Sequence, residues 1–126
     1  MKILFIGFLI FLGMSGCESP NNLPFPIIVA NPEQGPAPLT VRFSGFQSYD
    51  PDYLDSIIEY TWEIGGVSDP VVYNEACPVH IFTSPGNYKV KLTVKDSHGT
   101  TDSSSITIHV YDPFEPSEDG RIWLPD

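Results

Sequence analysis

The chain has 126 residues, with six lysines and arginines against sixteen aspartates and glutamates, and a formal charge of −10. That is the length of one domain, and a charge of this sign repels phosphate and excludes nucleic acid as a partner. Thirteen prolines and ten glycines, with no sustained helical period after residue 16, predict many short strands joined by turns.

Residues 1–16 stand apart. Lys2 gives a positive start, Ile3 to Leu12 is an apolar run without charge, and Gly13-Met14-Ser15-Gly16 leads through mostly small residues to Cys17. Roughly ten apolar residues are half of what a membrane span needs, so the stretch reads as a secretory signal peptide. Its Met-Ser-Gly-Cys ending resembles the bacterial lipoprotein box. The resemblance implies cleavage before Cys17, diacylglycerol on its sulfur and an acyl group on its amine. The mature chain would keep five basic and sixteen acidic residues. Two or more acyl chains would hold it stably at a membrane.

Residues 17–23 are short, polar and turn-rich, and read as a tether. Pro24 to Ala30 is a β-rich run with prolines at its start, which places it at a sheet edge. Asn31 to Pro38 reads as a loop by composition. Leu39, Val41 and Phe43 alternate with Thr40, Arg42 and Ser44, predicting a strand over 39–45. Phe46 to Ser56 is a loop rich in aspartate and tyrosine. In the next strand, 57–66, Ile58, Tyr60, Trp62 and Ile64 face one way, while Glu59, Thr61 and Glu63 face the other. Short strands come next at 71–73 and 79–82. The clearest strand is 85–96, where Tyr88, Val90, Leu92 and Val94 alternate with Lys89, Lys91, Thr93 and Lys95. The last spans 101–110, with Ile106, Ile108 and Val110 inward.

These elements predict an all-β fold, an antiparallel sandwich of six or seven strands preceded by the signal peptide. Its expected core is Val41, Phe43, Ile58, Tyr60, Trp62, Ile64, Tyr88, Val90, Leu92, Val94, Ile106 and Ile108, with Trp62 at the centre. The 57–66 and 85–96 strands are expected to be neighbours, so that Glu59 and Glu63 oppose Lys89, Lys91 and Lys95 across the wet face.

Several motifs resemble a polycystic-kidney-disease (PKD) domain over residues 26–110. They are Leu39-Thr-Val-Arg-Phe-Ser-Gly45, Ser48-Tyr-Asp-Pro-Asp52, Ile58-Glu-Tyr-Thr-Trp-Glu-Ile-Gly65 and His80-Ile-Phe-Thr-Ser-Pro-Gly-Asn-Tyr-Lys-Val-Lys-Leu-Thr-Val-Lys-Asp96. The chain departs from the family pattern after Trp62, where Glu-Ile-Gly-Gly-Val67 lacks the second acidic turn residue. The resemblance implies an Ig-like sandwich outside the cell, used as a spacer or binding module. It implies a structural, hydrogen-bonded role for His80. Some relatives of the family bind calcium.

No constellation of residues looks catalytic, and the expectation is a protein that is not an enzyme and uses no cofactor. His80, His98 and His109 lack the spacing of a zinc site, and Ser103 to Ser105 open a strand rather than a nucleophile elbow. Asp50, Asp52 and Asp55 offer oxygen ligands but not at the spacing of the twelve-residue calcium loop. Turn chemistry is the preferred reading, and no metal is expected. Cys77 is expected to be a buried, inert thiol, cross-linking to another protein being the alternative. The candidate ligand loop carries Phe46, Tyr49 and Tyr53, since recognition favours loops on a rigid scaffold. Phe46 and Tyr49 could equally fold back over the open end of the core.

The domain plan is a signal peptide at 1–16, a tether at 17–23, a sandwich at 24–111 and an acidic, Pro-rich tail at 112–126. That tail ends in Ile122-Trp123-Leu124, which would dock on the domain or be captured by a partner. The expected protein is a non-catalytic lipoprotein of the cell envelope, at the outer membrane or cell surface. It would be tied to the membrane through Cys17, with a protein or glycan partner. The alternatives are an accessory carbohydrate-binding lipoprotein of a polysaccharide-uptake system, or a spacer derived from a larger secreted hydrolase.

Overall fold

The computed structural model describes residues 20–65 and 70–114. The signal peptide, Cys17, Gly66 and the Ile122-Trp123-Leu124 trio lie outside the described residues. Among those described there are eight strands: β1 (Val29–Asn31), β2 (Gln34–Pro36), β3 (Leu39–Ser44), β4 (Ile57–Ile64), β5 (Val71–Tyr73), β6 (Val79–Phe82), β7 (Gly86–Asp96) and β8 (Thr101–Tyr111). They form two sheets, one in the order β1-β3-β6 and the other β2-β8-β7-β4-β5. The fold is all-β, as the alternation predicts.

Period-two patterning explains the packing. Leu39, Val41 and Phe43 of β3 are buried, as are Trp62 and Ile64 of β4, Phe82 of β6, Val90, Leu92 and Val94 of β7, and Ile108 and Val110 of β8. Trp62 is fully buried at the centre. Its ring lies 5.3 Å from that of Phe43, and its indole Nε1 donates to the Glu75 carbonyl at 2.9 Å. The bond satisfies the one polar atom that burying an indole would otherwise leave unpaired. Tyr60 and Tyr88 pack against this cluster while remaining partly exposed. The Tyr88 hydroxyl donates to the Ser84 carbonyl at 2.7 Å.

Ile58 is a correction. It is 59 % exposed. The pairing of β4 with β7 shifts between Ile57, opposite Asp96, and Glu59, opposite Lys95. Such a bulge adds one residue to one strand and reverses the facing of the residues before it. Ile57 therefore packs against the core in place of Ile58.

β2 is a second difference. The prolines and glycine of 31–38 read as a loop, yet Gln34–Pro36 pairs in parallel with His109–Tyr111 of β8. It is an edge strand, where proline's missing N–H is tolerated. Gly35 lets it lie close, since a Cβ there would sit 2.6 Å from Leu39 Cδ1. The sandwich thus has one strand more than predicted, and that strand is parallel. The run from Pro24 is paired as strand only from Val29, with an isolated bridge between Phe25 and Tyr49.

For Lys91 and Lys95 the wet face behaves as the charges predict, whereas Lys89 lies beyond the last paired residue of β4 and opposite Thr107 of β8. Glu59 lies opposite Lys95 and Glu63 opposite Lys91, with N–O separations of 2.9 and 3.8 Å.

Strand directions give the sandwich two poles. At one, the segment from Pro20, the 46–56 loop and the Asp96–Thr100 turn come together. At the other lie the turn at Gly65, the turn from Phe82 to Gly86, and the end of β8, since Ile64 pairs with Val90, and Gly86 with Val110.

Candidate functional site

The first pole is built by side chains far apart in sequence. Asn22 donates from its backbone N–H to Asp52 Oδ2 at 2.8 Å and from its amide to Asp52 Oδ1 at 2.7 Å. The Asn21 amide lies 2.9 Å from Thr100 Oγ1. With its nitrogen turned inward it donates to Asp52 Oδ2 at 3.2 Å and to Asp55 Oδ2 at 3.1 Å. Asp55 also accepts from the Ser97 hydroxyl at 2.9 Å and meets His98 Nδ1 at 2.7 Å. Asp96 closes the Asp96–Thr100 turn by accepting from the N–H groups of His98 and Thr100, both at 2.9 Å, and from the Thr100 hydroxyl. Gly99 supplies the φ of 90° that this turn requires.

The carboxylates of Asp50, Asp55 and Asp96 face one another, one oxygen of each lying within 4.8 Å of the others. Asp50 Oδ1 accepts from the Asp52 N–H at 2.8 Å, the local capping that turn chemistry predicts. Its Oδ2 is buried with no donor directed at it among the described residues. Burial raises the Asp50 pKa, the Asp52 N–H opposes this, and neighbouring Asp96 raises it further. Burial also acts to raise Asp96, but the Thr100 hydroxyl and N–H, the Asp50 carboxyl and the His98 N–H outweigh it and hold Asp96 at about 2. Hydrogen bonding and charge from Asp55 raise His98.

An oxygen without a donor, opposite other carboxylates, is satisfied either by a proton held between Asp50 and Asp96 or by a cation. Oxygen-only donors suit a hard ion such as Ca²⁺, which takes six to eight of them. The residues present therefore fit such an ion. The sequence offers Asp50, Asp52 and Asp55 as turn carboxylates with no metal expected; the carboxylates that face one another are those of Asp50, Asp55 and Asp96, while Asp52 is bound to Asn22. Asp96 ends the most regular strand of the chain and carries no local mark of a ligand. Its proximity to Asp50 depends on β4–β7 pairing, which no local motif encodes.

The aromatic loop does not form one platform. Tyr49 stacks on Phe25 at 5.3 Å and 14°. Phe46 meets Tyr60 edge-on at 6.3 Å, over the end of the core. Tyr53 projects separately and is 94 % exposed, beside Leu54 at 85 %. Cys77, expected to be buried, is an exposed free thiol. It lies in the 74–78 connection, outside both sheets, with Sγ 3.5 Å from Ser44 Oγ. His80 is half-buried, bonded to the Tyr73 hydroxyl at 3.0 Å and packed against Phe82. Burial lowers its pKa. His109 faces outward and bonds Asn87.

Two sheets closed over a buried tryptophan, with a polar pole assembled around loop aspartates, define an Ig-like module. A family model described as "PKD domain" matches residues 24–110, and the chain belongs to the PKD domain family. Collagenase ColQ1 of Bacillus cereus is 31 % identical over 123 residues, a match covering 91 % of this chain and 12 % of that protein. The chain thus spans about an eighth of that relative. A solved structure described as carbohydrate-binding modules of the β-sandwich superfamily aligns with a TM-score of 0.65 at 28 % identity, over 82 % of this chain and 42 % of the other. The PKD1 domain of Vibrio anguillarum Epp aligns at 0.60 and 26 % identity, over 75 % of this chain and all of that one. The chain is thus similar both to a part of a collagenase and to a part of a structure described as carbohydrate-binding modules.

Proposed function

We propose that this chain is an extracytoplasmic binding or spacer lipoprotein, anchored through Cys17, whose sandwich holds the residues beyond Tyr111 away from the membrane. One observation carries the reading: the described chain begins at one pole and leaves the sandwich at the other. Asn21 touches Thr100, at the head of β8, and β8 then runs eleven residues to Tyr111. At a rise of about 3.3 Å per residue the strand spans ~33 Å. The far pole would carry the acidic tail and its Ile122-Trp123-Leu124 trio toward a partner.

The cluster of Asp50, Asp55 and Asp96 would hold Ca²⁺ at the anchored pole. The ion would offset carboxylate repulsion and tie the loop to the Asp96–Thr100 turn, stiffening the spacer. Glycan binding is the second reading. It is favoured by the similarity to carbohydrate-binding modules and by the stacked, half-exposed Phe25–Tyr49 pair, because flat apolar rings suit sugar faces. A spacer from a larger secreted hydrolase would use the same geometry.

Intact mass spectrometry of the protein made in a lipoprotein-processing bacterium tests the anchor. The expected product begins at Cys17 and carries acyl groups, and Cys17→Ser releases it from membranes. An unmodified Cys17 in a released protein contradicts the anchor. A glycan array then separates the two readings, since a spacer gives no glycan signal and a sugar-binding module loses its signal in Tyr49→Ala.

A further inference from the structure

The most exposed large apolar side chains of the described residues are adjacent, Tyr53 at 94 % and Leu54 at 85 %. They share a shallow surface depression with Pro20, Asn21, Asp55 and His98. The N-terminal segment is therefore fixed beside them, by Asn22 on Asp52 and Asn21 on Thr100. Three residues lie between Cys17 and Asn21, and the four Cα-to-Cα steps from one to the other reach at most ~14 Å when fully extended.

We propose that Tyr53 and Leu54 form a membrane-docking tip that enters the headgroup region of the bilayer carrying the anchor. The inference rests on lipidation of Cys17, which fixes which pole faces the lipid. A tyrosine fits this zone because its ring is apolar and its hydroxyl stays wet, and the leucine beside it adds buried apolar area. The neighbouring charges are compatible with a zwitterionic surface. Asp52 is held by Asn22, and Asp55 by His98 and Ser97. The remaining negative charge disfavours anionic lipid. Docking at a second contact beside the anchor would stop the sandwich from swinging on its tether and would set the far pole outward.

The test uses residues 17–126 with Cys77→Ser, coupled chemically through Cys17 to a maleimide lipid in phosphatidylcholine vesicles. Benzoylphenylalanine replaces Tyr53 in one sample and Ser84, at the far pole, in another. Irradiation should give lipid adducts at position 53 and none at 84. Leu54→Asp should abolish the adducts, and added phosphatidylglycerol should reduce them. A Gly-Ser insert of about twenty residues before Pro20, with an r.m.s. reach of ~25 Å, should keep the preference for position 53. Equal yields at 53 and 84, an unchanged yield in Leu54→Asp, or loss of the preference with the long tether would overturn the proposal. Because the lipid is attached chemically, these results stand apart from whether cells acylate Cys17, which the mass measurement decides.

Discussion

The centre of the sandwich and the pole where residues 20–22 meet the Asp96–Thr100 turn are stabilised by different physics. Around Trp62 the structure rests on apolar burial contributed by alternate residues of regular strands. At the pole, residues 21–22, 50–55 and 96–100 meet through hydrogen bonds among carboxylates, amides and a histidine. The first region resists change in pH and ions but not loss of volume. The second tolerates loss of volume but depends on how its carboxylates are protonated or occupied.

Removing volume at the centre should have the largest effect. Trp62→Ala forfeits transfer energy and leaves a cavity, at a cost of about 3–5 kcal/mol, a large share of the ~5–15 kcal/mol available to a domain. Denaturant unfolding should show a large drop in midpoint, and a loss below ~1 kcal/mol, well under that cost, would mean that the centre is not organised around this ring.

Removing Asp96 should act on pH dependence. Its pKa lies at about 2, below the ordinary 3.8. Its contribution is therefore full above about pH 4 and is lost as pH falls toward 2. Asp50, raised by burial, acts in the opposite sense: its contribution is present below 3.8 and is lost as pH rises through its higher value. Asp96→Ala should destabilise at neutral pH and flatten the acid limb of a melting-temperature profile, which Trp62→Ala should leave in place.

Asp50→Asn should sharpen the contrast further. It removes one of the facing charges, so the calcium-free protein should melt no lower than wild type, while calcium should raise the melting temperature of wild type more than that of the variant. Equal calcium shifts in the two would place the ion elsewhere. The smallest expected effects come from the wet face, where double-mutant cycles on Glu63–Lys91 and Glu59–Lys95 should give about 0.2–1 kcal/mol, shrinking with salt.

The same contrast decides what could be read from the chain. Strands β3, β4, β7 and β8 announce themselves because one face is dry and the other wet, and the Glu–Lys facing comes from their pairing. Ile58 misleads because a bulge changes the period where no residue type marks it. β2 is hidden by prolines that only an edge position tolerates, and Phe82 lies in a run too short for its facing to be assigned. The loop aspartates are visible locally, but Asp96 joins them only through the pairing of strands that are distant in sequence. The aromatic loop is legible as exposed rings, and the separate partners of Tyr49 and Phe46 are set by Phe25 and Tyr60, which sequence spacing does not bring together.

The claim that the chain begins at one pole and leaves at the other is open to a single distance. Fluorophores at Leu23→Cys and Asp112→Cys, in a Cys77→Ser background, should report energy transfer for a separation of about 30 Å, the span of β8, with and without vesicles. A separation below ~15 Å, less than half that span, would place both ends together and contradict a spacer that holds its far pole off the membrane.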